Sequence, residues 1–232
     1  HDIKAPLINI KGHSKLINND LEGLTSVIPK QADAIVDMRE SLNHIMFSSD
    51  RISTLITGIL NFSSVIQQDI KMLPVDPQEI LQDLIVLNSS RVKPEQFTFS
   101  NIPSEIISDV LSLQIIFSTL LDNAIKYQHP ERELTIHIRY ENTASLTLHQ
   151  FLIVDNGLGI LDADKDKVFK LFVKSSTVNS GSGIGLANAR SLAEKLNGDI
   201  EFYNNENGEG VTFVVSLHNY SQIPEKSLTS VK

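Results

Sequence analysis

No cysteine occurs among the 232 residues, which excludes disulfides and thiolate-held metals. No apolar run approaches the roughly 18 residues that suggest a membrane span, and no signal peptide is visible. Positive charge is scarce: Lys and Arg total 20 against 28 Asp and Glu, for a net charge of −8. Nucleic-acid phosphates demand a basic face, so no nucleic-acid partner is expected, nor any membrane contact from this stretch of chain. The histidines at 1, 13, 44, 129, 137, 149 and 218 are scattered, and none forms a zinc-ligand pair on one helix face. A G-x-x-x-x-G-K-[ST] loop is also absent. Phosphate chemistry on this chain would have to use backbone amides and a divalent cation.

What is present reads as globular protein: 41% hydrophobic and 21% charged residues, with length for one large or two small domains. Residues 1 to about 70 carry helical spacing only. Ile3, Leu7, Ile10, Ser14, Ile17, Leu21 and Leu24 follow steps of four and three, and so do Leu42, Ile45, Ser49, Ile52, Ile56, Ile59, Ser63 and Ile66. Such heptad seams predict two helices packed at a shallow angle, separated by a stretch containing Gly23 and Pro29. An antiparallel hairpin of this kind buries one side of each helix, and a second copy would complete a four-helix bundle. On periodicity alone, a purely structural bundle explains this half. In the same register His1 takes a solvent-facing position, and Pro6 should kink the helix just after it.

The pattern changes near "KMLPVDPQE", where Pro74 and Pro77 end the helical text and suggest a linker. Helices are expected over 77–88, over 110–127 and from "SGIGL" to Gly198. "LTIHIRY" and "SLTLHQFLIV" read as one β-hairpin, and "DIEFYNN" and "GVTFVVSL" as another. Antiparallel pairs with helices on one face predict an α+β two-layer sandwich. Residues 221–232 read as a polar tail.

Three glycine clusters fall in this half: "DNGLGI" (155–160), "GSGIGL" (181–186) and "GEG" (208–210). The second opens a helix, where amides and dipole suit a phosphate. Taken singly, each cluster is also explained as a turn. On the helix before them, "LLDNAIKY" sets Asn123, Lys126 and Tyr127 on one side. An amide oxygen can ligate Mg²⁺, a lysine can meet a phosphate and an aromatic ring can cover a base.

The order of these motifs is more specific than any one of them. An asparagine helix is followed by D-N-G-x-G-I, "VFKLF", G-S-G-I-G-L and a glycine hairpin. This series resembles the ATP-binding domain, of GHKL (Bergerat) type, shared by sensor histidine kinases, heat-shock chaperones, mismatch-repair ATPases and type II topoisomerases. "HDIKAPL" ahead of a helical hairpin narrows the likeness to the catalytic core of a two-component sensor histidine kinase, over the whole chain save the tail.

That resemblance implies a dimerisation and phosphotransfer hairpin over 1–72, a catalytic domain over 73–220 and a tail over 221–232. It implies ATP and Mg²⁺ as ligands, a homodimer through the hairpin, and a response-regulator receiver domain as partner. His1 resembles the phosphorylated histidine and Asp2 the acid that fixes its tautomer. Asn123 resembles the Mg²⁺-binding asparagine, Lys126 a phosphate contact and Tyr127 a wall of the pocket. Asp155 resembles the acceptor of the adenine amino group, with Gly157 and Gly159 letting the chain pass the base. Gly181, Gly183 and Gly185, followed by Leu186, resemble the phosphate-facing hinge of a lid bordered by Phe169 and Phe172. Ala5 stands where members with phosphatase activity carry Thr or Asn, so weak or absent phosphatase activity is expected. Thr119 stands where an asparagine is frequent. The resemblance also implies a fragment whose first helix extends upstream and a cytoplasmic location, as for the cytoplasmic part of a membrane-anchored sensor. The competing readings are a degenerate kinase serving as a nucleotide-binding dimeric scaffold, and a GHKL-type ATPase.

Overall fold

The computed structural model describes residues 4–25, 32–67, 69–142, 147–173, 183–206 and 208–220. The chain divides into two compact units, His1–Ser63 and Ser64–Lys232.

In the first unit, α1 (Lys4–Thr25) and α2 (Ala32–Gln67) form an antiparallel hairpin. The heptad seam splits into two rows. Leu7, Ser14 and Leu21 of α1 are buried, as are Ile35, Leu42 and Ser49 of α2. These sit one heptad apart and close the hairpin. The small Ser49 lets the helices approach, and its hydroxyl donates to the Leu7 carbonyl at 3.0 Å. Exposed ion pairs Lys11–Asp50 and Glu22–Arg39, at 2.7 and 2.9 Å, agree with this register and add little energy. The second row stays open: Ile10, Ile17, Ile45, Ile52 and Ile59 are 44–51% exposed. His1 and Asp2 lie outside the described residues, while Pro6 falls in the first turn of α1.

The second unit is a two-layer α+β sandwich, as the sequence implied. Its elements are β1 (Leu73–Val75), α3 (Pro77–Leu87), β2 (Phe97–Ser100), β3 (Ile106–Ser108), α4 (Val110–Lys126), β4 (Ile136–Asn142), β5 (Leu148–Asp155), α5 (Gly185–Lys195), β6 (Asp199–Asn204) and β7 (Val211–His218). Five strands form one sheet in the order β2-β4-β5-β7-β6. The two expected hairpins supply its antiparallel part. The exception is β2, which runs parallel to β4, with Phe97 opposite Ile136. Parallel neighbours need a long crossover, and α4 lies within this one.

The stretch read as a linker has structure of its own. Pro74 sits in β1, which pairs antiparallel with β3. Pro77 is at the start of α3, where a missing amide costs nothing, and the Asp76 carboxylate caps that helix by accepting from the amides of Gln78 and Glu79. Asp109 likewise caps α4 through the Ser112 amide at 2.8 Å, and its other oxygen accepts from the Lys71 amide. At the end of α5, Leu196 is the cap and Asn197, not Gly198, takes the left-handed conformation with φ 54°.

α4 lies between α3 and α5 on one face of the sheet. Its Leu113, Ile116, Phe117, Leu120 and Leu121 are fully buried, and the Phe117 ring meets Phe151 of β5 edge-on at 5.2 Å. This packing fixes the cavity-side stripe of α4. On the opposite sheet face, His137 lies between Thr98 and Ser100 at 2.7 and 3.0 Å, tying β2 to β4.

Candidate functional site

A cavity of about 470 Å³ opens in the second unit, bounded by the C-terminal half of α4, the turn after β5, the start of α5 and the start of β7. Asn123, Lys126, Tyr127, Asp155 and Gly159 line it, as do Gly183, Gly185 and Leu186. Residues from three separate motifs thus share one wall system. Gly157 stands just behind the wall. Gly181 lies outside the described residues, as do His1 and Asp2.

Asp155 ends β5 and is only 6% exposed. Its Oδ1 accepts from the amides of Gly157 and Val211 at 2.8 and 3.4 Å. Burial disfavours the charged carboxylate and outweighs these two bonds, so its pKa is pushed up to about 6. Its other oxygen accepts no hydrogen bond among the described residues. Such a group binds a ligand N–H donor well, because ligand contact replaces solvation the carboxylate has already lost.

The turn that carries Asp155 is held by side-chain amides acting as peptide surrogates. Asn156 bonds the Thr135 amide and the Glu133 carbonyl, at 2.9 and 2.8 Å. Asn204 bonds both the amide and the carbonyl of Ile160. Asn205 donates to the Asp155 carbonyl at 2.8 Å and accepts from the buried Thr212 hydroxyl at 2.7 Å. Arg132 adds a bond to the Gly157 carbonyl at 3.2 Å and an ion pair with Glu209. Sequence spacing flagged none of this scaffold, because its partners lie far apart along the chain.

The glycines are explained chiefly by backbone crowding. A Cβ on Gly157 would sit 2.5 Å from the Tyr127 carbonyl, which already accepts from the Leu158 amide. Gly210 has φ +79°, and a Cβ there would lie 2.0 Å from the Asp155 carbonyl. Gly208, in the same hairpin, has φ +74° but nothing within 4 Å. We therefore expect Gly210→Ala to cost about 3 kcal/mol and to displace Asp155, against about 1 kcal/mol for Gly208→Ala. Urea unfolding of the two variants checks this; equal losses would remove the close approach as the cause.

On α4, Thr119, Asp122, Asn123 and Lys126 face the cavity. The Asn123 amide nitrogen is buried without a partner. Turning the amide over exchanges its nitrogen for its oxygen, so the same position offers a carbonyl oxygen to a cation. Among the described residues, no three acids or histidines cluster as a metal site. That donor set suits Mg²⁺, which takes one or two protein oxygens and otherwise phosphates and water. Lys126 Nζ donates to the Tyr127 hydroxyl at 2.9 Å and lies 4.5 Å from that ring's centre. The first turn of α5 has no side-chain cap, so its amides suit an anion.

Phe169 packs on Phe202 at 5.9 Å beneath the Arg190 guanidinium, so its role is packing. Phe172 is in the left-handed region with φ 67°, and its amide donates to the Gly183 carbonyl at 2.8 Å. Arg91 also reaches the cavity, from the turn after α3. No motif pointed to it.

Residues 108–221 match the family described as histidine kinase-, DNA gyrase B- and HSP90-like ATPase. The aerobic respiration control sensor protein ArcB of Escherichia coli (strain K12) is 26% identical over 230 residues, 94% of this chain and 27% of that protein. The signal transduction histidine-protein kinase BarA of the same strain is 27% identical over 225 residues, 92% of this chain and 23% of that protein. The chain therefore spans about a quarter of the length of these relatives. Among solved structures, the Acinetobacter baumannii histidine kinase AdeS superposes with a TM-score of 0.58 at 19% identity, covering 86% of this chain and 97% of that one. The mycobacterial sensor histidine kinase MprB gives 0.53 at 23% identity, over 63% and 98%. Identities this low carry the fold alone.

Proposed function

We propose that this chain is an ATP-dependent protein histidine kinase; the reading is supported by the match of residues 108–221 to the histidine kinase-, DNA gyrase B- and HSP90-like ATPase family and by the likeness of nearly the whole chain to sensor kinases. In this reading residues 1–72 dimerise and present His1, and residues 73–220 bind ATP. The phosphoryl group passes from ATP to His1 and then to an aspartate of a response-regulator receiver domain. The observation that carries the reading is the one cavity that brings Asp155, Asn123 and Lys126 together.

Each residue has a part set by its chemistry. Asp155, its Oδ1 already held by two amides, accepts a hydrogen bond from the adenine amino group; guanine presents a carbonyl there and is refused. Lys126 and the uncapped amides of α5 hold the phosphates. Asn123 would hold Mg²⁺, which neutralises phosphate charge when bound. A ring nitrogen of His1 attacks the γ-phosphorus, forming an N–P bond as the bond to ADP breaks. Asp2 holds the proton of the other ring nitrogen and stabilises the imidazolium that develops. Positioning and charge compensation supply the catalysis. Thr119, one turn before Asn123, offers no carboxylate to activate a water, which favours transfer over hydrolysis.

Dimerisation is supported by the half-exposed row Ile10, Ile17, Ile45, Ile52 and Ile59, which a second hairpin would cover. No helix among the described residues is long and apolar enough to cross a membrane.

Incubation with γ-labelled ATP and Mg²⁺ tests the reading. Protein label that is acid-labile and base-stable is expected. Phosphate release without protein label would favour an ATPase, and nucleotide binding with neither would favour a scaffold.

A further inference from the structure

The nucleotide cavity holds a cation that the motif set does not account for. Arg91 lies in the turn after α3 and lines the same cavity as Asn123 and Lys126. Nη1 donates to Asp122 Oδ1 at 2.6 Å and to Asn88 Oδ1 at 3.1 Å. Asn88 is itself fixed, since its amide donates to the Leu84 carbonyl at 2.9 Å. Arg91 therefore rests on the wall against Asp122 and Asn88.

Its partner Asp122 is adjacent in sequence to Asn123 and lines the cavity with it. An uncompensated carboxylate there would repel the phosphate tail of a nucleotide. The two side chains of the pair are 47% and 53% exposed, and exposed ion pairs hold their geometry weakly. A guanidinium binds phosphate oxygens with two parallel bonds and charge assistance, in competition with a single carboxylate.

Resting on the nucleotide-site reading above, we propose that Arg91 is a further phosphate-contacting residue. It is held on Asp122 in the nucleotide-free protein and is handed to the phosphate tail when a nucleotide binds. Asp122, released, turns to solvent. The exchange makes affinity depend on the phosphates through a residue on the turn after α3, outside the asparagine and glycine motifs.

Calorimetric titration with ATP and with adenosine, both without added metal, tests this on the wild type, Arg91→Met, Arg91→Lys and Asp122→Asn. Arg91→Met is expected to weaken ATP roughly tenfold and to leave adenosine unchanged. Arg91→Lys should fall between, because it keeps charge and loses the fork. Asp122→Asn should bind ATP at least as tightly as the wild type. Equal weakening of ATP and adenosine in Arg91→Met would show that the pair only braces α3 against α4, and would overturn the proposal. An unchanged ATP affinity would overturn it as well. A wild type that binds neither compound would sink the nucleotide-site reading itself, which is a different result from either.

Discussion

Asp155→Asn is expected to abolish measurable ATP binding while making the nucleotide-free protein more stable. The two effects have one cause. Asp155 is buried at the end of β5, with a pKa raised from 3.8 to about 6, so the fold holds a carboxylate whose ionised form it disfavours. In the folded protein this group binds its proton more tightly than in the unfolded chain. Its contribution to stability is complete below the unfolded value and is lost as pH rises through about 6. At about 1.4 kcal/mol for each pH unit separating the two values, the ionised group costs up to about 3 kcal/mol at neutral pH. Asparagine keeps an acceptor for the Gly157 and Val211 amides and never ionises. Urea unfolding at pH 5 and pH 7.5 should show the variant's advantage grow toward pH 7.5; an advantage independent of pH would refute the linkage. ATP binding runs the opposite way. The adenine amino group needs an ionised acceptor, so wild-type affinity should fall as pH drops below about 6, by up to about tenfold per pH unit. The domain keeps a destabilising acid where recognition needs one.

His1→Gln should remove all acid-labile label from the protein and leave ATP affinity untouched, because glutamine offers no ring nitrogen to the γ-phosphorus. Asn123→Ala should also remove the label, by a different route. Its affinity for ATP in the presence of Mg²⁺ should fall by about a hundredfold, because a cation site and a buried polar contact are lost together. Labelling beside equilibrium binding separates the two. Label persisting in His1→Gln would move the acceptor to another residue, while unchanged Mg²⁺-dependent binding in Asn123→Ala would take the cation away from that side chain.

Periodicity made the helices and both β-hairpins legible, because a helix or hairpin strand repeats its burial every few residues. The row of Leu7, Ser14 and Leu21 was visible for that reason, and so was the α4 stripe carrying Asn123 and Lys126. The strand β2 was not. "FTFS" is too short to show alternation, and its parallel partner β4 comes after the whole of α4.

The glycines are legible as a set, but the reason for two of them is not. Gly157 and Gly210 are required by the carbonyls of Tyr127 and Asp155. Those carbonyls come near only after α4 and the last hairpin have packed against the turn.

Residue order alone thus determined the layers and most of the motif residues that line the cavity, since each is written in local spacing. Tertiary structure alone decided what completes that cavity: the Arg91–Asp122 pair, the Asn204 and Asn205 bonds to the Asp155 turn, and the burial that raises the pKa of Asp155. The physical reason is separation. Asn205 and Asp155 are 50 residues apart, and Arg91 and Asp122 are 31 apart. Hydrogen bonds and desolvation at such range depend on how the elements pack, and no repeat along the chain encodes them.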